Sequence, residues 1–370
     1  MNARPVALTD RIAGLDGLRA ISIGLVLAAH LSGTRGYPRI PGWLVPLAVN
    51  GALGVSVFFV ISGFLITTLL LRETNATGAL DIKRFYVRRA LRIFPAYYLF
   101  LLVVSALWIC QAIRLAPGEL LSAATYTRNF YRGGSWSTGH AWSLAIEEQF
   151  YLAWPWVVQW GGRRRSLWIA GTVVVVSPFV RCATWLQWPS LRPLVDQLTF
   201  TRLDSIMVGC LLALSWPNPR FHDAMRTFHR RGGTALSLAA LVGSIYLRSY
   251  WNAWHVLIGH SVEALAAAIC IHACITHPRS RVTRILEQAP IRYVGTLSYS
   301  LYLWQQLFLD RYSEFALCHF PLNLFCAIAA AVLSRTLCEQ PFLRLKVRFE
   351  HGTSPKTHVA PRARVSLPVQ

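Results

Sequence analysis

The sequence predicts an all-α fold: a polytopic integral membrane bundle of about ten transmembrane helices with both termini cytoplasmic. Three observations carry that reading. Of the 370 residues, 54% are hydrophobic and only 14% are charged, too apolar for a water-soluble domain and too long for one span. Uncharged apolar runs recur: Gly51 to Leu71 stops at Arg72, and Ile93 to Ile113 lies between Arg92 and Arg114. Each is long enough to cross a hydrocarbon core of about 30 Å. The cations alternate with these runs. With alternate loops assigned to alternate sides, 27 of the 37 lysines and arginines fall on the side of both termini, which the positive-inside rule makes cytoplasmic. The net charge of +21 therefore reports topology and attraction to anionic membrane lipid, not nucleic-acid binding.

Taken in order, the first helix is expected over about 15–34. The later spans are expected over 51–71, 93–113, 140–160, 167–187, 203–217, 234–250, 258–275, 293–310 and 318–338. Arg4 and Arg11 before an apolar stretch with Ala28 and Ala29 resemble a signal sequence. Asp10 and Asp16 spoil a cleavable leader, so an uncleaved first span is expected. One membrane domain, 10–345, precedes a tail, 346–370, whose Pro, Arg and Ser predict cytoplasmic disorder. No internal repeat of the kind that marks inverted-repeat transporters is visible. The long external loops 35–50 and 114–139 hold Trp43, Tyr126, Tyr131 and Trp136, residues that anchor at membrane interfaces or stack on sugars; anchoring is the expectation. The eight cysteines include no CxxC pair, and no disulfide framework is expected. Cys270, His272 and Cys274 resemble a metal triplet, but a helix turns His272 away from the cysteine face, so packing is expected there and no metal.

The chemistry concentrates on the first span. Ten residues, nearly all apolar, separate Arg19 from His30. Eleven steps of about 100° return to nearly the same helix face, about 16 Å further along. One face therefore carries a cation near a membrane surface and an imidazole near mid-bilayer. Ionisable groups at such depth are costly, which makes each a candidate functional group. In the 140–160 span, Glu147 follows His140 by seven residues and shares its face, whereas Glu148 points about 100° away and is not expected to serve that face. Arg202 and Asp204 are expected to form a structural ion pair at the start of their span. Glu263 lies within a span and has no assigned role.

Seven blocks then occur in a familiar order. They are Leu15-Asp16-Gly17-Leu18-Arg19-Ala20 with His30; Gly54-Val55-Ser56-Val57-Phe58-Phe59-Val60-Ile61-Ser62-Gly63-Phe64-Leu65; and Arg84-Phe85-Tyr86-Val87-Arg88-Arg89 with Arg92-Ile93-Phe94-Pro95. Next come His140-Ala141-Trp142-Ser143-Leu144-Ala145-Ile146-Glu147-Glu148-Gln149-Phe150-Tyr151 and Arg202-Leu203-Asp204 with Gly209. Ser298-Tyr299-Ser300-Leu301-Tyr302-Leu303-Trp304 and Glu339-Gln340-Pro341-Phe342 complete the set. Over almost its whole length the chain resembles the acyltransferase-3 family of membrane O-acyltransferases.

The resemblance implies an enzyme of the bacterial inner membrane that moves an acyl group, usually acetyl, from cytoplasmic acyl-CoA to a hydroxyl. No cofactor is permanently bound. Family acceptors are mainly cell-envelope carbohydrates such as O-antigen, exopolysaccharide, glycolipid or peptidoglycan, and in a minority a secreted small molecule such as a macrolide. Some members carry an extra extracytoplasmic hydrolase-like domain, which this chain is expected to lack; a separate extracytoplasmic acyl-transfer partner would take its place. By the same resemblance His30 is the general base or an acyl-imidazole carrier, two roles the sequence does not separate. Arg19 contacts donor phosphate or polarises the thioester carbonyl, with snorkelling as its structural alternative. Glu147 orients the imidazole or pairs with a buried arginine. Arg84, Arg88 and Arg89 hold the donor phosphates through paired hydrogen bonds. His140, Ser143, Arg202, Asp204, Ser298, Tyr302 and Glu339 complete the candidates. One departure stands out. Where family members often carry histidine after Trp304, this chain has Gln305 and Gln306. Glutamine takes up no proton near neutral pH, leaving His30 as the better proton acceptor. The rival readings are a proton-coupled exporter or glycolipid flippase, and a scaffold assisting another enzyme.

Overall fold

Glycine and asparagine caps set the rhythm of the helices in the computed structural model, which describes residues 12–251 and 253–347. Helix α1 (Leu15–Leu31) starts after Gly14, which has φ 82°, and whose N–H donates to Glu287 at 2.7 Å. Helix α2 (Gly51–Thr77) is capped by Asn50 and stopped by Gly78, at φ 81°. Only a few residues later α3 (Ile82–Ile109) begins, with the Asp81 carboxylate accepting the Arg84 N–H at 2.8 Å. The basic segment 83–92, which precedes the expected span 93–113, therefore forms the first turns of this helix. A capped start and a run without a breaker extend the helix backwards.

Helix α4 (Ala141–Gln187) joins two expected spans into one stretch that bends at Gly162. Its φ of 58° with ψ −174° is backbone that a side chain would resist. Then follow α5 (Thr199–Ser215), the surface helix α6 (Pro219–Arg230) with no buried residue, and α7 (Gly233–Tyr250). A wide turn, His255–Gly259, leads into α8 (His260–Thr276). Helix α9 (Ala289–Phe308) and α10 (Leu322–Leu333) complete the bundle, α10 running on through another wide turn, Ser334–Glu339.

Among the described residues there is no strand, and six helical stretches are long and apolar enough to cross a membrane. Large apolar side chains face outward, as lipid permits: Trp160, Trp168, Phe179 and Leu186 on α4 are each at least two-thirds exposed. Inside, Ile23, Phe59, Ile66, Tyr97, Phe100 and Trp154 form the main core. Where α2 crosses α5 the backbones nearly touch. A Cβ on Gly63 would lie 2.0 Å from the Ile206 carbonyl oxygen, and one on Gly209 2.1 Å from that of Val60. Small residues allow this approach, and without a hydrophobic drive between helices in lipid such packing holds the bundle together. Arg4, Asp10, Arg11 and the tail from residue 348 lie outside the described residues.

Candidate active site

Helix α1 runs between two cavities, one at each of its ends. The first, about 320 Å³, is lined by Asp16 and Arg19 of α1, Arg72 at the end of α2, Arg89 and Arg92 on α3, and Glu147 and Glu148 on α4. Deeper, its walls are apolar (Val55, Phe58, Ile66, Leu144), with Ser143, Ser298 and Tyr302 as polar points. This arginine chamber suits a ligand with anionic groups at one end and an apolar or neutral arm at the other. The guanidinium of Arg19 lies in the field of Asp16 and Glu147, and that of Arg92 in the field of Glu147 and Glu339. Glu147 lies in the field of Arg19, Arg89 and Arg92.

The second cavity, about 690 Å³, holds His30 and His140 with Trp136, Trp142, Arg311 and Tyr312. His30 Nδ1 lies 2.7 Å from the Gln305 side-chain oxygen. With that oxygen as the acceptor, Nδ1 is the donor and Nε2 is left for another partner. Gln305, the residue after Trp304, is thus the hydrogen-bond partner of His30. Its neighbour Gln306 accepts the His140 backbone N–H at 3.0 Å, while both ring nitrogens of His140 are buried without a partner.

Val55 and Tyr302 line both cavities. The Tyr302 hydroxyl is 2.5 Å from Ser143 Oγ and 3.2 Å from the His140 carbonyl oxygen, to which it donates. This pair forms the partition between the chambers.

The predicted site residues divide accordingly. Arg19 and Glu147 reach the arginine chamber, and His30 and His140 the histidine chamber. His140 and Glu147 do share a helix face, but two turns, about 10 Å, separate them, so Glu147 meets arginines and not an imidazole. Glu148, though on another helix face, is expected to line a lumen or approach an interface, and it lines a lumen. It lines the same chamber as Glu147, because the cavity is wider than one helix face. Of the three donor arginines only Arg89 lines the chamber, its guanidinium 5.6 Å from the centre of the Tyr151 ring. Arg88 is held by Glu73 at 2.7 Å, and Arg84 lies partly exposed beside Asp81. Arg72 and Arg92 take their places. Ser298 presents a buried hydroxyl with no partner, whereas Glu339 is tied to Ser300.

Arg202 and Asp204 are not an ion pair. Residues two apart on a helix face away from each other, and Asp204 pairs instead with Arg181 at 2.6 Å and accepts from Ser261. Arg202 donates to Ser56 Oγ at 3.1 Å, and Ser56 in turn reaches Glu263 at 3.0 Å. Glu263 is thereby accounted for as the acceptor of a buried network that includes Ser244 and His260. His272 sits between His229 and His222, at 2.9 and 3.4 Å, apart from Cys270 and Cys274. In the 114–139 loop, Trp136 left its expected interfacial role for the edge of the His30 ring, 5.1 Å between centres. Tyr126 is buried against Tyr97, and Trp43 remains exposed.

A family model described as an acyltransferase domain matches residues 12–338. The chain belongs to the acyltransferase-3 family. With its apolar helices, that membership makes it a multi-pass membrane protein. A peptidoglycan O-acetyltransferase of Listeria monocytogenes is 30% identical over 321 residues, covering 79% of this chain and 48% of that protein. An O-acetyltransferase of Staphylococcus aureus is 29% identical over 314 residues, covering 79% and 49%. The chain spans about half the length of these curated relatives. No solved structure matches it.

Proposed function

We propose that the chain is a membrane O-acyltransferase, passing an acyl group, acetyl first among candidates, from acyl-CoA in the arginine chamber to a saccharide hydroxyl in the histidine chamber. The observation that carries this reading is the pair of chambers meeting at Tyr302, one lined by four arginines and the other by an imidazole bonded to Gln305. Arg19, Arg89 and Arg92 are disposed to hold donor phosphates, and the apolar depth to take the thiol-bearing arm toward the partition. His30 Nε2 would take the acceptor hydroxyl proton as the oxygen attacks the thioester carbonyl; the thiolate leaves and recovers a proton. In the carrier variant, Nε2 itself attacks the carbonyl and the thiolate leaves and takes up a proton; the hydroxyl oxygen then attacks the acyl-imidazole, and its proton goes to the Nε2 that is released.

The acceptor is a cell-envelope carbohydrate. The relatives named for peptidoglycan make a cell-wall glycan the first to try. The topology proposed is ten traverses, α4 supplying two, with both termini and the arginine chamber facing the cytoplasm of a bacterial inner membrane. A cytoplasmic-type reporter after residue 350 and an external-type reporter at Gly133 should both be active. Two reporters on one side would overturn the count. The activity test is thioester consumption by purified protein with a glycan acceptor, wild type against His30→Gln. Turnover dependent on acceptor and abolished in His30→Gln supports the reading; a stable His30→Gln protein at wild-type rate sinks it.

A further inference from the structure

The histidine chamber has a charge imbalance that bears on what it accepts. None of its lining residues is an aspartate or glutamate, while Arg128, Arg248 and Arg311 all face it. Two of these are already neutralised: Arg128 lies 3.7 Å from Glu119 and Arg248 3.4 Å from Asp196. Arg311 is different. Among the described residues its guanidinium makes only a hydrogen bond to the Ala29 carbonyl oxygen, at 3.3 Å, and its Nε is buried with no partner. Its charge sits 5.1 Å from the centre of the Trp136 ring, which meets His30 on one side and Tyr312 on the other.

The candidate base, an aromatic platform and an unneutralised cation are thus contiguous. Arg311 is partly buried, its Nε is without a partner and no carboxylate pairs with it among the described residues, so a bound anion would supply the missing counter-charge. Guanidinium forks suit the planar oxygens of carboxylate and the oxygens of phosphate, and aromatic faces suit sugar rings.

We propose that Arg311 binds an anionic group, carboxylate or phosphate, on the acceptor saccharide close to the hydroxyl that reacts at His30. The chamber thereby selects anionic over neutral glycans. The inference rests on the reading of this chamber as the acceptor site. A sugar acid and the pyrophosphate of a lipid carrier share the chemistry.

The test titrates the full chain in lipid nanodiscs with two matched pairs of probes: a uronic-acid disaccharide against its methyl ester, and a neutral disaccharide on polyprenyl pyrophosphate against the same disaccharide linked to the polyprenol without phosphate. Wild type should bind the charged member of at least one pair about 10- to 100-fold more tightly. The first pair reports a sugar acid and the second a carrier phosphate. In Arg311→Gln the charged-to-neutral ratio should fall to near one. In Arg311→Lys, which keeps the charge without the fork, it should be intermediate. Should Arg311→Gln fail to accumulate, the wild-type and lysine ratios still decide. Ratios near one for wild type in both pairs, or a ratio unchanged by either substitution, overturn the proposal. Thioester consumption is followed in parallel. Charge-selective binding without acyl transfer would sink the transferase reading and leave the anion site standing; transfer without charge selectivity would do the reverse.

Discussion

The two chambers use charge in opposite ways. In the arginine chamber four cations face three carboxylates, Asp16, Glu147 and Glu148, a mixed field that can admit a polyanion and let it go. In the histidine chamber no carboxylate lines the wall, and the groups around the candidate base are positioned: an imidazole bonded to the Gln305 amide and a cation lying over a tryptophan. The first looks built to bind and release, the second to orient. Between them stand Tyr302 and Ser143.

The comparison is broken most severely at His30. His30→Gln should lower transfer about 10²- to 10⁴-fold with normal membrane accumulation, since removing an imidazole from the bilayer eases insertion. A stable variant of normal activity would leave the histidine chamber without its chemistry. Next come the arginines. Arg89→Ala or Arg92→Ala should raise the KM for acyl-CoA about 10- to 100-fold, a charge-assisted hydrogen bond being worth about 1.5–3 kcal/mol. Arg88→Ala should change KM little and instead loosen the end of α2, because Arg88 is occupied by Glu73. Equal KM effects at 88 and 89 would erase the distinction between chamber and surface arginines.

A smaller effect is expected at Gln305. Gln305→Leu keeps the volume and loses the oxygen that holds Nδ1–H, so kcat should fall about tenfold, equivalent to about 1.4 kcal/mol, with the KM for donor unchanged. Loss in donor KM would place the effect in the wrong chamber. The smallest effect concerns pH. Glu119 is buried, which works against its charge, but donors from Thr138, the Ala116 N–H and Ser135 outweigh burial and hold its carboxyl below the usual range. A depressed pKa gives stability that is present above the unfolded value of about 4.3 and lost as pH falls through the folded one. Hydrogen exchange at Ser135 should therefore accelerate as pH drops below about 4, relative to the intrinsic rate, and the Glu119→Gln variant should lose that pH dependence. An identical profile in the variant would free the rim of the histidine chamber from this carboxylate.

Much of this was legible in the residues. Apolar runs longer than a bilayer thickness specify spans wherever they occur, because lipid offers the backbone no partner. The eleven-residue spacing put Arg19 and His30 on one face of α1 by helix geometry alone. The ordered motif blocks gave the family. The same geometry misled where distance along the helix mattered: His140 and Glu147 share a face yet serve different chambers. Glu148 shares a chamber with Glu147 despite pointing elsewhere.

What the sequence determined by itself is the class of fold, the family, and the residues that bear charge in an apolar setting, for these follow from local composition and period. Which arginines face a cavity and which are tied to a neighbour was decided only in three dimensions, as Arg88 with Glu73 and Asp204 with Arg181 show. So was the hydrogen-bond partner of His30, a residue 275 positions away. Hydrogen bonds and ion pairs act over a few ångströms, and the partner that comes within reach is chosen by helix packing, to which sequence separation is blind.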